Sequence, residues 1–231
     1  MSPTLSIVIP AYNEERFIGT LLRQIKAVDL ALLGIEKEII VVDDCSRDRT
    51  PEIVTAEPGV TLHRMATNGG KGRAVRAGIG QATGDYLIIQ DADLEYDPND
   101  YIPMLRALLA GGADAVYGSR YMATGKHANQ SWTAYLGGRS LSLVALAFTG
   151  RYLTDTVTAL KLFKRDDVRS LPLETTGFET DHEITARLLA RGARISEVPI
   201  GYSPRSRDEG KKIGLRDWFI GFRTFWRYRR G

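Results

Sequence analysis

Apolar residues recur along this chain with two different periods. Residues 5–9 form a mostly β-branched run, and directly after it Phe17, Ile18, Leu21, Leu22 and Ile25 recur at the spacing of one helix face. Further buried-strand patterns occupy residues 38–42 and 86–89, with a weaker one at 60–62 and helical patterns between them. Strands alternating with helices predict a mainly parallel central sheet flanked by helices. Beyond Asp93 the pattern predicts a helix over 99–109 and a strand over 113–117, then a stretch to Tyr152 that mixes polar and apolar positions. Strands at 156–163 and 193–202 around a helix near 181–190 complete the expectation: α/β for the first half, mixed pairing for the rest, no internal repeat.

Length and charge refine this picture at the C-terminal end. A chain of 231 residues buries one sizeable core, so one domain over 1–212 is expected, followed by a basic aromatic segment at 213–231. The net charge of +3 is small, but residues 215–230 carry Arg216, Arg223, Arg227, Arg229 and Arg230 against Asp217 alone. Leu215, Trp218, Phe219, Phe222, Phe225 and Trp226 recur there at helical spacing, which predicts an amphipathic helix lying on an anionic membrane surface. The competing expectation is that the aromatic stripe packs on the protein's own core or on a membrane-anchoring partner.

The remaining composition removes function classes. A single cysteine, Cys45, excludes an internal disulfide framework and a multi-cysteine zinc site, and it fits a reducing compartment. The N-terminus lacks a basic run followed by an apolar signal core, and the apolar stretch 141–148 is far shorter than the ~20 residues of a spanning helix. The expected location is cytoplasmic, peripheral on the cytoplasmic face of a membrane. His63, His127 and His182 are isolated and no Gly-x-Ser-x-Gly occurs, so zinc-enzyme and serine-hydrolase readings have no support. With the basic residues in one tail and acidic residues at the strand ends, nucleic acid is not an expected partner.

In open α/β sheets, ligands bind beyond the carboxyl ends of the strands. Three predicted strands run into polar segments there: Pro10-Ala11-Tyr12-Asn13-Glu14-Glu15, Asp43-Asp44-Cys45-Ser46 and Gln90-Asp91-Ala92-Asp93-Leu94-Glu95. Carboxylates at i and i+2 after a strand can both reach a hard divalent cation, which would neutralise charge on a departing diphosphate; ordinary turn and capping aspartates are the alternative. Asn68-Gly69-Gly70-Lys71-Gly72-Arg73 precedes a helical run. It is neither a P-loop nor a dinucleotide fingerprint, and it reads either as an anion cradle or as a glycine-rich helix start. Arg120 after a strand, with Arg139, Arg205, Arg207, Lys211 and Lys212, supplies candidate phosphate-binding cations.

In order and spacing, Ile9-Pro10-Ala11-Tyr12-Asn13-Glu14, Val42-Asp43-Asp44-Cys45-Ser46, Asn68-Gly69-Gly70-Lys71-Gly72 and Asp91-Ala92-Asp93-Leu94 together resemble the family 2 glycosyltransferases of GT-A fold. Within that family, Gly118-Ser119-Arg120, Asp155-Thr156-Val157-Thr158 with Lys161-Leu162-Phe163, and Gly177-Phe178-Glu179 are most similar to dolichol-phosphate mannosyltransferases and related polyprenyl-phosphate sugar synthases. The resemblance implies hexose transfer from a nucleotide diphosphate sugar, of GDP-mannose or UDP-glucose type, to a polyprenyl phosphate, with Mg²⁺ or Mn²⁺ as cofactor. It implies that Pro10, Tyr12, Glu14 and Asp44 line the base and ribose pocket, with Lys71 beside the donor. Asp91, Asp93 and Glu95 would hold the metal, Arg120 and Arg139 would receive the lipid phosphate, and Arg205, Arg207, Lys211 and Lys212 would lie over the diphosphate. Where mannosyl members often carry Gly-x-Ser-Lys, this chain reads Glu209-Gly210-Lys211-Lys212. A hydroxyl acceptor would need a carboxylate base, for which Asp181 or Glu179 is the candidate, with helix capping as the alternative for both. A soluble acceptor or a catalytically silent nucleotide-sugar-binding subunit are the competing functions.

Overall fold

The apolar runs are continuous because the central strands are covered on both faces. In β1 (Thr4–Ala11), Leu5, Ile7 and Ile9 enter one apolar cluster and Val8 enters the other. The same split recurs after α1 (Ile18–Ala27): in β2 (Glu36–Asp43), Ile39 and Val41 face one side and Ile40 and Val42 the other. The computed structural model describes residues 2–122, 132–204 and 215–230.

Chain order continues through α2 (Thr50–Thr55), β3 (Val60–Arg64), α3 (Lys71–Gln81) and β4 (Tyr86–Ile89). It proceeds through α4 (Tyr101–Leu109), β5 (Ala115–Ser119), α5 (Trp132–Thr149) and β6 (Lys161–Lys164). The last elements are α6 (Arg165–Arg169), α7 (Thr180–Ala190), β7 (Ile195–Pro199) and α8 (Leu215–Tyr228). The seven strands form one sheet in the order β3-β2-β1-β4-β6-β5-β7. β1 pairs in parallel with β2 and β4, and β2 with β3. β6 runs antiparallel to both β4 and β5, and β7 returns parallel to β5. Helices α1, α2 and α4 cover one face, and α3, α6 and α7 the other. The expected α/β class, mainly parallel with mixed pairing in the second half, is the observed one.

Two stretches differ from the sequence expectation. Residues 156–160 do not join the strand expected from 156; only Lys161–Lys164 does. Side chains bind the backbone there instead: Asp155 accepts from the Val157 N–H and Thr158 from the Leu160 N–H, a local alternative to ladder hydrogen bonds. The unassigned stretch before Tyr152 contains the longest described helix, α5. Its period is hidden because apolar residues point both inward, at Leu141 and Ala145, and outward, at Leu136, Leu143 and Leu146.

The C-terminal aromatic stripe divides between the two expectations. In α8, Phe225 and Tyr228 are buried against Ala145 of α5 and Ala186 of α7, and Trp218 donates its indole N–H to Ser140. Phe219, Phe222 and Trp226 face outward. Phe225→Ala should therefore destabilise the fold by about 3–5 kcal/mol, whereas Phe219→Ala, at 64% exposure, should stay within about 0.5 kcal/mol, measured by urea denaturation. Equal effects of the two changes would contradict this division.

Candidate active site

The carboxyl ends of β1, β2 and β4 are neighbours on one sheet edge, and the backbone there is unusual. The three non-glycine residues with positive φ among those described are Asn13 (55°), Cys45 (64°) and Leu94 (61°), each a few residues beyond one of these strand ends. A leucine in the left-handed region is strained by ~1–3 kcal/mol, and such strain concentrates at functional sites. Here it reverses the chain within Asp91-Ala92-Asp93-Leu94-Glu95, and the Asp93 carboxylate accepts the Glu95 N–H at 3.1 Å.

The glycine-rich segment owes its composition to packing. Gly70 has φ of 86°, and a Cβ there would meet the Thr176 carbonyl 2.5 Å away. A Cβ on Gly72 would collide with the Thr180 hydroxyl, and the Gly72 N–H donates to Thr176 O at 2.8 Å. The two glycines thus let the start of α3 press against the start of α7. Asp44, expected beside ribose, turns its carboxylate onto this turn and accepts the Gly69 and Gly70 N–H groups at 2.8 and 2.7 Å.

That contact brings Lys71 between two carboxylates. Its Nζ lies 2.7 Å from Asp91 Oδ1 and 3.1 Å from Asp181 Oδ2, with the Phe178 ring 5.6 Å away. Burial works against the ammonium charge, but Asp181 and Asp91 outweigh it and raise the Lys71 pKa. Asp181 also lies 3.4 Å from Nζ of Lys161, a fully buried lysine that donates to the carbonyls of Thr158 and Asp181. Burial lowers the Lys161 pKa; burial raises that of Asp181, but Lys161 and Lys71 together bring it below the ordinary value. Lys161 had no role in the sequence expectation. Its signal was a lysine inside the apolar run Ala159-Leu160-Lys161-Leu162-Phe163. His182 beside it stays neutral, its pKa lowered to about 4 by burial and by Lys161.

The expected phosphate-binding arginines lie nearby in different settings. Arg120 is buried, and its Nε and Nη2 bind both oxygens of Asp155 at 2.6 and 2.8 Å. Burial disfavours the Arg120 charge, and Asp155 more than restores it. Arg139 is half-buried on α5, donates to Thr154 O at 2.9 Å, and faces the rings of Tyr121 and Tyr152. Pro10 is buried in β1, Tyr12 is exposed, and the Glu14 N–H donates to Thr50. Glu179 accepts the Gly177 N–H at 3.2 Å and precedes α7. Arg205, Arg207, Lys211, Lys212 and His127 lie outside the described residues.

Glu95 is buried at the end of the acidic turn. Its carboxylate accepts the Tyr202 hydroxyl at 2.9 Å and its carbonyl accepts the Ser203 N–H at 2.9 Å, which fastens the chain after β7 to the acidic turn. No group of three potential ligands suited to a metal occurs among the described residues. Asp91 and Asp93, both partly accessible, nonetheless fit Mg²⁺ or Mn²⁺ of the kind that takes one or two carboxylates and fills its shell with phosphate oxygens and water.

Asp100 makes a second tie to the same segment, accepting the Gly201 N–H at 2.9 Å. Burial raises its pKa to about 6, above the ~3.9 of an exposed aspartate. The folded state then binds this proton more tightly than the unfolded chain, so the contribution of Asp100 to stability is fully present below about pH 4 and is lost as pH rises through 6. Asp100→Asn keeps an acceptor for Gly201 and should raise stability at pH 7 by on the order of 1 kcal/mol, discounted because the group is half exposed. Urea midpoints between pH 4 and 7 that vary identically in both proteins would contradict the assignment.

Comparison with known proteins identifies the family and the fold. Residues 6–171 match the model of glycosyl transferase family 2. The dolichol-phosphate mannosyltransferase of Pyrococcus furiosus is 32% identical over 220 residues, 91% of this chain and 59% of that protein. The undecaprenyl-phosphate 4-deoxy-4-formamido-L-arabinose transferase of Pseudomonas aeruginosa is 32% identical over 92% of this chain and 61% of its own length. The chain thus spans about three fifths of these two relatives. Glucosyl-3-phosphoglycerate synthase of Mycobacterium tuberculosis, solved with Mn²⁺, UDP and phosphoglyceric acid, superposes with a TM-score of 0.75 at 20% identity, covering 99% of this chain and 79% of that one. Mannosyl-3-phosphoglycerate synthase of Rubrobacter xylanophilus gives 0.74 at 20% identity, over 98% and 72%. The architecture is therefore the GT-A fold, and the chain belongs to glycosyl transferase family 2.

Proposed function

We propose that this chain is a glycosyltransferase module that moves a hexose from a nucleoside diphosphate sugar, of GDP-mannose or UDP-glucose type, to a polyprenyl phosphate. The observation that carries the reading is the strained acidic turn after β4, where Asp91 meets Lys71 and, through it, Asp181, with Asp93 two residues further along the same turn. The names of the two family relatives, both polyprenyl-phosphate transferases, support the acceptor class.

In this reading the nucleoside rests at the ends of β1 and β2. Pro10, Tyr12 and Glu14 form one wall, and Asp44 holds the glycine turn that forms the other. Asp91 and Asp93 would hold Mg²⁺ or Mn²⁺, which when bound supplies positive charge to the leaving diphosphate. Lys71 lies close enough to Asp91 to share that task. Arg120 and Arg139 would receive the acceptor phosphate, Arg120 being oriented by its two bonds to Asp155 and Arg139 by the Thr154 carbonyl. A phosphate monoester is anionic near neutral pH and attacks the anomeric carbon without a strong base, so an inverting displacement places little demand on Asp181. That fits a carboxylate held between two lysines, whose lowered pKa makes it a weak base.

Asp91→Asn or Asp93→Asn should reduce transfer at least ~100-fold with the thermal transition retained, and EDTA should do the same to the unaltered chain. Product mass spectra from a panel of nucleotide sugars, with and without polyprenyl phosphate, check the substrate classes. Turnover by either variant in metal-free buffer would refute the metal assignment, and product formed only with soluble hydroxyl acceptors would replace the lipid acceptor.

We also propose that the enzyme works at an anionic membrane surface. Phe219, Phe222 and Trp226 project outward from α8. Arg216 and Arg223 on the same helix, with Arg230 just beyond it, would each contribute ~1 kcal/mol near acidic lipid, whereas Arg227 is paired with Glu174. No helix among the described residues is long and apolar enough to cross a membrane, so attachment through this helix suits the fold. Deleting α8 would also remove Phe225 and Tyr228 from the core, so the informative change is Phe219→Ser with Trp226→Ser. It should lower co-sedimentation with phosphatidylserine vesicles in a salt-sensitive way and leave the urea midpoint nearly unchanged. Vesicle binding equal to that of the unaltered chain would remove α8 from the membrane reading.

A further inference from the structure

Lys71 has a position that electrostatics alone disfavours. It is the first residue of α3, where the helix dipole is positive and where acidic side chains, not cations, are stabilised. Its side chain is 90% enclosed, and Phe178 covers it. Moreover, Gly70 and Gly72 are required for α3 to begin this close to Thr176 and Thr180. The backbone is thus shaped to bring one ammonium group to one carboxylate pair.

What the ammonium does there follows from the distances. Nζ lies 2.7 Å from Asp91 Oδ1 and 3.0 Å from Asp91 Oδ2, so it straddles both oxygens of the carboxylate. Mg²⁺ binds a carboxylate oxygen at roughly 2.0–2.1 Å and requires near-octahedral space around it. An ammonium straddling the same two oxygens blocks that approach and cancels the charge that would attract the cation. Building on the donor-site reading above, we propose that Lys71 occupies the metal-binding face of Asp91 in the empty enzyme and releases it only to a divalent cation arriving with a nucleoside diphosphate.

The exchange keeps every charge compensated. On release, Lys71 keeps Asp181 at 3.1 Å and acquires the diphosphate as its second anion, while Asp91 acquires the cation. Asp181 keeps Lys161 throughout. Neither carboxylate and neither lysine is left buried and unpaired, which is the costly alternative. The empty site, by contrast, resists metal alone, because without a diphosphate Lys71 would exchange two carboxylates for one. Metal loading therefore depends on nucleotide, and charge at position 71 sets that dependence.

The test is Mn²⁺ binding to the full chain, read as loss of the free-ion electron paramagnetic resonance signal, with Mn²⁺ alone and with GDP or UDP present. The unaltered chain should bind Mn²⁺ alone at least tenfold more weakly than with the preferred nucleotide. Lys71→Gln, with Lys71→Met as a second variant and circular dichroism to verify folding, should tighten binding of Mn²⁺ alone about tenfold and shrink the effect of nucleotide. Lys71→Arg, which keeps the charge, should restore weak binding. The inference is overturned if the unaltered chain binds Mn²⁺ equally well without nucleotide, or if neutral residues at 71 leave Mn²⁺-alone binding unchanged. Asp91→Asn separates this from the donor-site reading: if nucleotide-assisted Mn²⁺ binding survives that change, the donor site itself is misplaced and the inference falls with it.

Discussion

Four charged side chains from four elements hold one another where none would be stable alone. Asp91 follows β4, Lys71 opens α3, Asp181 lies in the first turn of α7 and Lys161 begins β6, and each touches the next. Removing Lys161 or Asp181, the most enclosed members, leaves a neighbour charged and poorly solvated, a change that costs ~3–5 kcal/mol when buried pairs are broken. The row also joins two differently built halves of the sheet, because α3 and β4 belong to the parallel part, whereas β6 begins the antiparallel part.

The parallel half was legible because its strands are buried on both faces. A run such as Ile39-Ile40-Val41-Val42 has no alternation to misread, and the polar residues after it mark the strand's carboxyl end. Recognising the acidic edge required only that three such ends lie side by side, which parallel pairing of β2, β1 and β4 ensures. The second half was less legible for local reasons. Asp155 and Thr158 bind the backbone near them, and this holds residues 156–160 out of the ladder despite their β-branched composition. Helix α5 carries apolar residues on two sides, so no single face stands out in its sequence.

Partner choice within the site was the least legible property. An arginine after a strand suggested a phosphate receptor, but composition cannot reveal that Asp155, thirty-five residues later in the chain, binds two of its nitrogens. Likewise the family resemblance offered Glu95 as a third metal ligand, and in the fold its carboxylate accepts the Tyr202 hydroxyl. In both cases the sequence named the charged residue but not the partner it has in the fold. The partner was set by tertiary contacts between distant parts of the chain, which spacing does not encode.

The glycine-rich segment shows how packing and chemistry can require the same residues. Read as an anion cradle, its glycines expose backbone N–H groups; read as a helix start, they permit close contact. In the fold, the Gly69 and Gly70 N–H groups are taken by Asp44, and the Gly72 N–H by Thr176 O, so the donors nearest the motif are directed inward. The segment's contribution to the site is therefore what it positions. It delivers Lys71 to Asp91 and Asp181, and because any side chain at position 72 would collide with Thr180, the ammonium cannot be supplied from this helix without the glycine beside it. A motif of glycines around one lysine is thus the local sequence that a two-carboxylate site of this geometry demands.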